Sequence, residues 1–223
     1  MKKFLYNFFL LIKNFKKYGI KNITFIIFFE FLHSLRLLDI KTSFYEKGTI
    51  ITNKRKKNVK LYNAAYSPTP YYFLHLINIF LKEKKIDLKK YYLVDFGCGY
   101  GRLLNFFENK TKKFLGIDIN KKYINFLKKK YKSQNFINAD LRNYKSIVKK
   151  IKILTKNNKK ILYFYEPFED ILVYKIIKTC LKPGDICIVV NIKNFKVLRT
   201  FRSIYTKFLG DKMKNILIIK LPK

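Results

Sequence analysis

Four acids stand where an apolar run gives way to a turn, and their spacing suits ligand chemistry. Asp95 lies in Leu93-Val94-Asp95-Phe96, directly ahead of Gly97-Cys98-Gly99-Tyr100-Gly101. Asp118 closes Phe114-Leu115-Gly116-Ile117, Asp140 follows Asn138-Ala139, and Glu166 sits between Tyr163-Phe164-Tyr165 and Pro167-Phe168. Glycines at every second position tolerate positive φ and carry no Cβ, so backbone N–H groups and a helix beginning near Arg102 can face a polar ligand. Glycines also close ordinary strand-to-helix turns. What favours a nucleotide cradle is the second short strand, whose acid falls about 20 residues further on, the position from which a carboxylate grips ribose hydroxyls.

The glycine spacing separates two classes of cradle. A dinucleotide fingerprint runs G-x-G-x-x-G and has no need of an acid just ahead of it; here the run is G-x-G-x-G with Asp95 two residues before. This resembles the first motif of the class I S-adenosylmethionine-dependent methyltransferases. The resemblance implies S-adenosylmethionine as cofactor, with Gly97, Gly99 and Gly101 lying against its methionine moiety and Asp95 orienting it. It further implies Asp118 on the ribose, Ile119 as apolar cover over the adenine and Asp140 on the adenine amino group. Without the family, Asp140 also reads as an N-cap of the next helix; the placing of Asp95, Asp118 and Asp140 at the ends of three successive expected strands favours the site reading. Glu166-Pro167-Phe168 resembles the Asn/Asp-Pro-Phe/Tyr motif of amino-directed members, and more closely a bacterial Tyr-Asn-Pro-Phe variant. By that resemblance Glu166, Pro167 and Phe168 form the acceptor side. Here a glutamate replaces the amide. An ionised carboxylate only accepts hydrogen bonds and can take a proton, which suits an amine or hydroxyl acceptor better than a planar base amino group. A plain helix cap beside Pro167 is the bland reading of the same residue.

The elements that must hold these residues alternate regularly. Helices are expected over 73–81, 102–109, 121–131, 144–152 and 171–181. Strands are expected over 93–96, 114–119, 135–141, 160–165 and 185–191. Such alternation predicts a doubly wound, mostly parallel sheet, an α/β fold. Residues 204–209 and 216–221, joined across Gly210-Asp211, read as a terminal antiparallel hairpin, bringing the sheet to about seven strands. The expected organisation is an N-terminal helical appendage and linker over 1–60 and a methyltransferase domain over 61–223. The Tyr66-Ser67-Pro68 stretch ahead of the first domain helix resembles the Tyr-x-x-(Ser/Thr)-Pro-like turn that closes over the cofactor in a subgroup of that family, which implies Tyr66 and Ser67 as candidates for the wall of the site; a plain helix-capping turn is the alternative.

The appendage alternates aromatic and basic residues. Phe4, Phe8, Leu11 and Phe15 recur at helical spacing, and Ile23 to Phe29 form a second apolar run. Lys13 interrupts the first run, and Glu30, His33 and Arg36 follow the second, so neither reaches the roughly 18 uncharged residues of a spanning helix. Two readings stay open: a lid on the catalytic domain, or an interfacial anchor with lysines on anionic headgroups.

Composition bounds the partners. The 223 residues carry 49 Lys and Arg against 14 Asp and Glu, a net charge of +35. That excess points to a polyanion, RNA or an anionic membrane surface, and equally to a base-biased genome writing lysine into permissive positions. A basic nucleic-acid- or membrane-binding module without catalysis is therefore the alternative function. The three cysteines, Cys98, Cys180 and Cys187, lack Cys-x-x-Cys spacing, and His33 and His75 are the only histidines. No disulfide framework and no metal site is expected. The expected setting is the reducing cytoplasm, at its membrane surface on the anchor reading.

Overall fold

The computed structural model describes residues 20–36, 68–111, 113–156, 158–165, 169–191, 201 and 216–220. Six strands form one sheet in the order β3-β2-β1-β4-β5-β6. They are β1 (Tyr92–Phe96), β2 (Phe114–Asp118), β3 (Asn135–Asn138), β4 (Lys160–Tyr165), β5 (Ile186–Val190) and β6 (Ile216–Lys220). The first five run parallel; β6 pairs antiparallel with β5 along Ile186↔Lys220 to Val190↔Ile216. This bears out the mostly parallel sheet with an antiparallel end. The second strand expected for a terminal hairpin, 204–209, lies outside the described residues, and among those described the strand count is six.

Helices α1 (Ile20–Arg36), α2 (Tyr71–Glu83), α3 (Arg102–Phe107), α4 (Lys121–Lys130), α5 (Tyr144–Thr155) and α6 (Asp170–Cys180) complete the order. Both faces of the sheet are apolar because both are covered, as a parallel sheet requires. Leu93, Phe114, Phe136, Ile161 and Ile188 point into one core with residues of α1 to α4; Val94, Leu115, Ile117, Leu162 and Val189 point into the other with α5 and α6. Alternate residues of each strand thus serve opposite cores. On this scaffold β1 and β4 are neighbours, and the chain leaves β1 toward β2 on one side and β4 toward β5 on the other. The order reverses at that point, which opens a crevice beyond the carboxyl ends of the two strands.

Helix α1 packs on α2. Ile23 is buried, Phe25 stacks on Tyr72 with ring centroids 5.6 Å apart, and His33 stacks on Tyr71 at 3.7 Å. The two histidines meet, Nε2 to Nε2, at 3.1 Å. The expected domain boundary at residues 60 and 61, the first apolar run, and Tyr66 and Ser67 all lie outside the described residues. No described helix is long and apolar enough to cross a membrane.

Two expectations about element ends are corrected. The third strand stops at Asn138 rather than continuing to 141. The Asn138 side-chain amide donates to the carbonyls of Asp118 (3.0 Å) and Ile119 (2.9 Å), and a 3-10 turn, Leu141–Asn143, follows. Helix α2 begins at Tyr71, two residues earlier than expected, because Pro70 occupies its N-cap, where a missing N–H costs nothing.

Candidate functional site

The glycine loop leaves β1 at its carboxyl end and folds back onto the end of β2. The N–H groups of Gly97 and Cys98 both donate to the Ile117 carbonyl, at 2.8 and 3.0 Å, and Gly101 N–H donates to the Cys98 carbonyl at 2.8 Å. Gly99 N–H donates to Asp118 Oδ2 at 2.9 Å. Four loop amides are therefore bonded within the protein. The loop offers a ligand bare backbone and room, more than a ring of donors. At Gly97, where φ is +87°, a Cβ would meet nothing within 4 Å, so the space above it is open. At Gly101, with φ +82°, a Cβ would come within 2.6 Å of a Leu127 methyl, so glycine there lets α3 start hard against α4. Helix α3 has six residues, and its dipole is correspondingly small.

Gly116, not singled out in the sequence, has a similar part. A Cβ on it would lie 2.9 Å from the Cys98 sulfur and 2.8 Å from the Phe136 ring. This bare stretch of β2 is what seats Cys98. All three cysteines are buried free thiols, and burial pushes Cys180 up to about 11. Among the described residues no group of three or more His, Cys, Asp or Glu is placed to hold a metal.

The three aspartates lie at the carboxyl edge in different circumstances. Asp95, the fourth residue of β1, is 4% exposed, and no hydrogen bond reaches its carboxylate from the described residues. Burial, and then the nearby charge of Asp118, pushes its carboxyl well above the usual carboxylate range. Asp118 ends β2 and is mostly buried. Its Oδ1 accepts from Asn120 N–H at 2.7 Å while Oδ2 holds Gly99. Burial raises this carboxyl, and the two backbone bonds oppose the rise. The ring of Tyr123 lies beside that turn, 4.3 Å from Tyr100, and Ile119 is 44% exposed at the rim.

Asp140 is placed differently from the other two. It lies two residues beyond β3 and caps the 3-10 turn, accepting from Arg142 N–H at 2.9 Å; the Arg142 guanidinium grips both carboxylate oxygens. The hydrogen bond from that guanidinium holds Asp140 below the usual carboxylate range. The capping role is thus realised, and a ligand donor would share Asp140 with Arg142. Glu166, Pro167 and Phe168 lie outside the described residues, between Tyr165 at the end of β4 and Glu169, the N-cap of α6.

A buried polar group that the sequence reading did not anticipate sits under the glycine loop. Tyr163 of β4 is the register partner of Asp95, and its hydroxyl lies 2.8 Å from Thr69 Oγ1. Arg102, 9% exposed, donates from Nη1 to both Glu30 oxygens at 3.0 Å and to the Thr69 carbonyl at 3.2 Å, with its guanidinium 4.6 Å over the Tyr71 ring. The only sequence signal was an arginine directly after Gly101; nothing marked Glu30 as its partner.

Residues 93–184 match a protein family described as a methyltransferase domain. Over 76 residues the chain is 38% identical to ribosomal RNA small subunit methyltransferase A of Mesomycoplasma hyopneumoniae, a match covering 30% of this chain and 29% of that protein. The chain therefore spans under a third of the length of that relative. An RNA methyltransferase of Salinibacter ruber, solved in complex with S-adenosyl-L-homocysteine, is 18% identical with a TM-score of 0.49, over 70% of this chain and 95% of that one. A SAM-dependent methyltransferase of Archaeoglobus fulgidus is 19% identical with a TM-score of 0.38, over 69% of this chain and 68% of that one.

Proposed function

With residues 93–184 matching a methyltransferase domain, we propose that this protein is a class I S-adenosylmethionine-dependent methyltransferase that transfers a methyl group to a nitrogen or oxygen acceptor bound at the crevice between β1 and β4. The observation that carries the proposal is the pairing of open space over Gly97 with the buried, unneutralised carboxylate of Asp95. A buried acid without a countercharge is costly in the free protein. A ligand bearing both a sulfonium and an ammonium suits that demand, and the bare loop admits it.

The cofactor supplies an already activated methyl group, so the chain's task is alignment and proton removal. Asp95 balances positive charge. Asp118, fixed by Gly99 and Asn120, presents its remaining lone pairs to a ribose diol. Ile119 and the Tyr100–Tyr123 pair supply apolar surface beside it for the adenine. Asp140 and Arg142 line the adenine end as a pair. Glu166 takes the proton of an amine or hydroxyl, with Pro167 and Phe168 shaping the acceptor side; this assignment rests on their sequence and on their place after β4. A positioned base contributes about 10²–10⁴-fold.

RNA is the first acceptor class to test, supported by the 76-residue likeness to a ribosomal RNA methyltransferase and by the net charge of +35. The test is transfer of labelled methyl from S-adenosylmethionine to separated RNA, protein and lipid fractions, by wild type and by Glu166→Gln. Label in the RNA fraction that falls about 10²-fold or more in the variant, with cofactor affinity unchanged, is the expected result. No transfer to any fraction by wild type overturns the reading in favour of a basic binding module, and equal transfer by both proteins removes Glu166 from the mechanism.

A further inference from the structure

Helix α1 lies wholly outside the segment that matches the methyltransferase domain, yet one of its side chains reaches Tyr71, which starts α2, and Arg102, the residue that follows the glycine loop. Glu30 makes two kinds of contact there. Its Oε1 accepts from Tyr71 N–H at 2.8 Å, and both oxygens accept from Arg102 Nη1 at 3.0 Å.

The first contact answers a local deficit. Helix α2 has Pro70 at its N-cap, and no side chain there caps it. A helix start leaves N–H donors without intrahelical partners and favours negative charge. Glu30 supplies both an acceptor and a charge from a different helix. The second contact fixes Arg102, the residue directly after Gly101. Its guanidinium is nearly buried, so it needs a countercharge, and Thr69 contributes only a carbonyl. Thr69 in turn bonds Tyr163, which lies beside Asp95 in the sheet. One carboxylate thereby ties α1, the start of α2 and the start of α3 into a single support for the loop.

We infer that Glu30 is a positioning residue of the cofactor site: it holds Arg102, and through Arg102 the end of the glycine loop, in the geometry that admits the ligand. The N-terminal helix is by this account part of the cofactor-binding machinery. The inference rests on the methyltransferase reading only for the identity of the ligand.

The test measures two quantities on the full chain, S-adenosylhomocysteine affinity by calorimetry and hydrogen exchange of the amides of residues 97–101 without ligand. It compares wild type, Glu30→Gln and Ile77→Val, the last trimming a buried α2 residue away from the loop. Glutamine can still accept from Tyr71 N–H but carries no charge for Arg102. Affinity should fall about tenfold in Glu30→Gln, as expected of one lost charge-assisted contact, and loop amides should exchange faster. Ile77→Val should lower the thermal midpoint while leaving both quantities near wild type. Unchanged affinity and exchange in Glu30→Gln, or equal losses in Ile77→Val, overturn the inference. If Glu30→Gln does not fold, Arg102→Lys is read in the same two assays, since lysine keeps the charge but not the fixed fork of donors. Wild type that binds no S-adenosylhomocysteine overturns the cofactor reading, and exchange in the ligand-free proteins then decides the role of Glu30 alone.

Discussion

Asp95 and Asp185 are both buried carboxylates, at opposite edges of the same sheet. Asp185 precedes β5 at the amino edge and is 1% exposed. Lys160 N–H donates to its Oδ1 at 2.8 Å, Lys182 N–H donates to its Oδ2 at 2.9 Å, and the Lys160 ammonium lies 2.9 Å from Oδ2. Every oxygen is answered within the protein. Asp95, at the carboxyl edge, faces Tyr163 and the charge of Asp118, and no described residue neutralises it. One acid closes the fold by joining β4 to the turn before β5. The other leaves an electrostatic demand of the kind that a cationic ligand would meet. Burial alone does not distinguish a structural acid from a site acid; the state of its partners does.

The contrast is broken most forcefully from the structural side. Asp185→Asn leaves the Lys160 ammonium buried without its countercharge, and loss of one partner of a buried pair costs about 3–5 kcal/mol. Urea unfolding should show that loss, while the fraction still folded binds S-adenosylhomocysteine as wild type does. A binding defect out of proportion to the loss of stability would mean that the amino edge takes part in the site.

On the site side, Asp118→Ala should weaken cofactor affinity by about 1–3 kcal/mol, the cost of stranding polar contacts. It removes the proposed ribose acceptor and also the hold on Gly99 N–H. Unchanged affinity by calorimetry would sink the ribose assignment.

The smallest effect concerns pH and sharpens the comparison most. Asp95 has a folded-state carboxyl raised above its ordinary value of 3.8. The stability associated with its neutral form is therefore fully present below about 3.8 and is lost as pH rises through the higher folded value. Asp95→Asn lacks this liability. The unfolding free energy of the variant, from urea titration, should exceed that of wild type by a margin that widens as pH rises from 4 toward 8. A margin constant with pH would mean that Asp95 is already neutralised in the free protein.

Much of this was legible in the chain. Asp95 with its three glycines, and Asp118 at the end of the second apolar run, marked the loop and its flanking acids, which the fold brings together through Gly99 and Asp118, because such local structure depends on residue type and short spacing. The alternation of apolar runs placed eleven of the described strands and helices to within three residues, since each face of a parallel sheet must be buried. The Lys160–Asp185 pair carried no such sign: Asp185 read simply as the first residue of a strand. Asp140 left its two roles open, and Arg142, two residues away, realised one of them.

The sequence by itself determined the order of elements and the acids near the strand ends, because periodicity and turn chemistry are local, and the resemblance of its glycine loop to a known family supplied the cofactor class. Only the tertiary structure decided which acids are satisfied and which are left wanting. The partners of Glu30 and Asp185 are brought by the fold from 72 and 25 positions away. The strength of a charge in the interior depends on that company and on the water it has lost, neither of which is written at any single position.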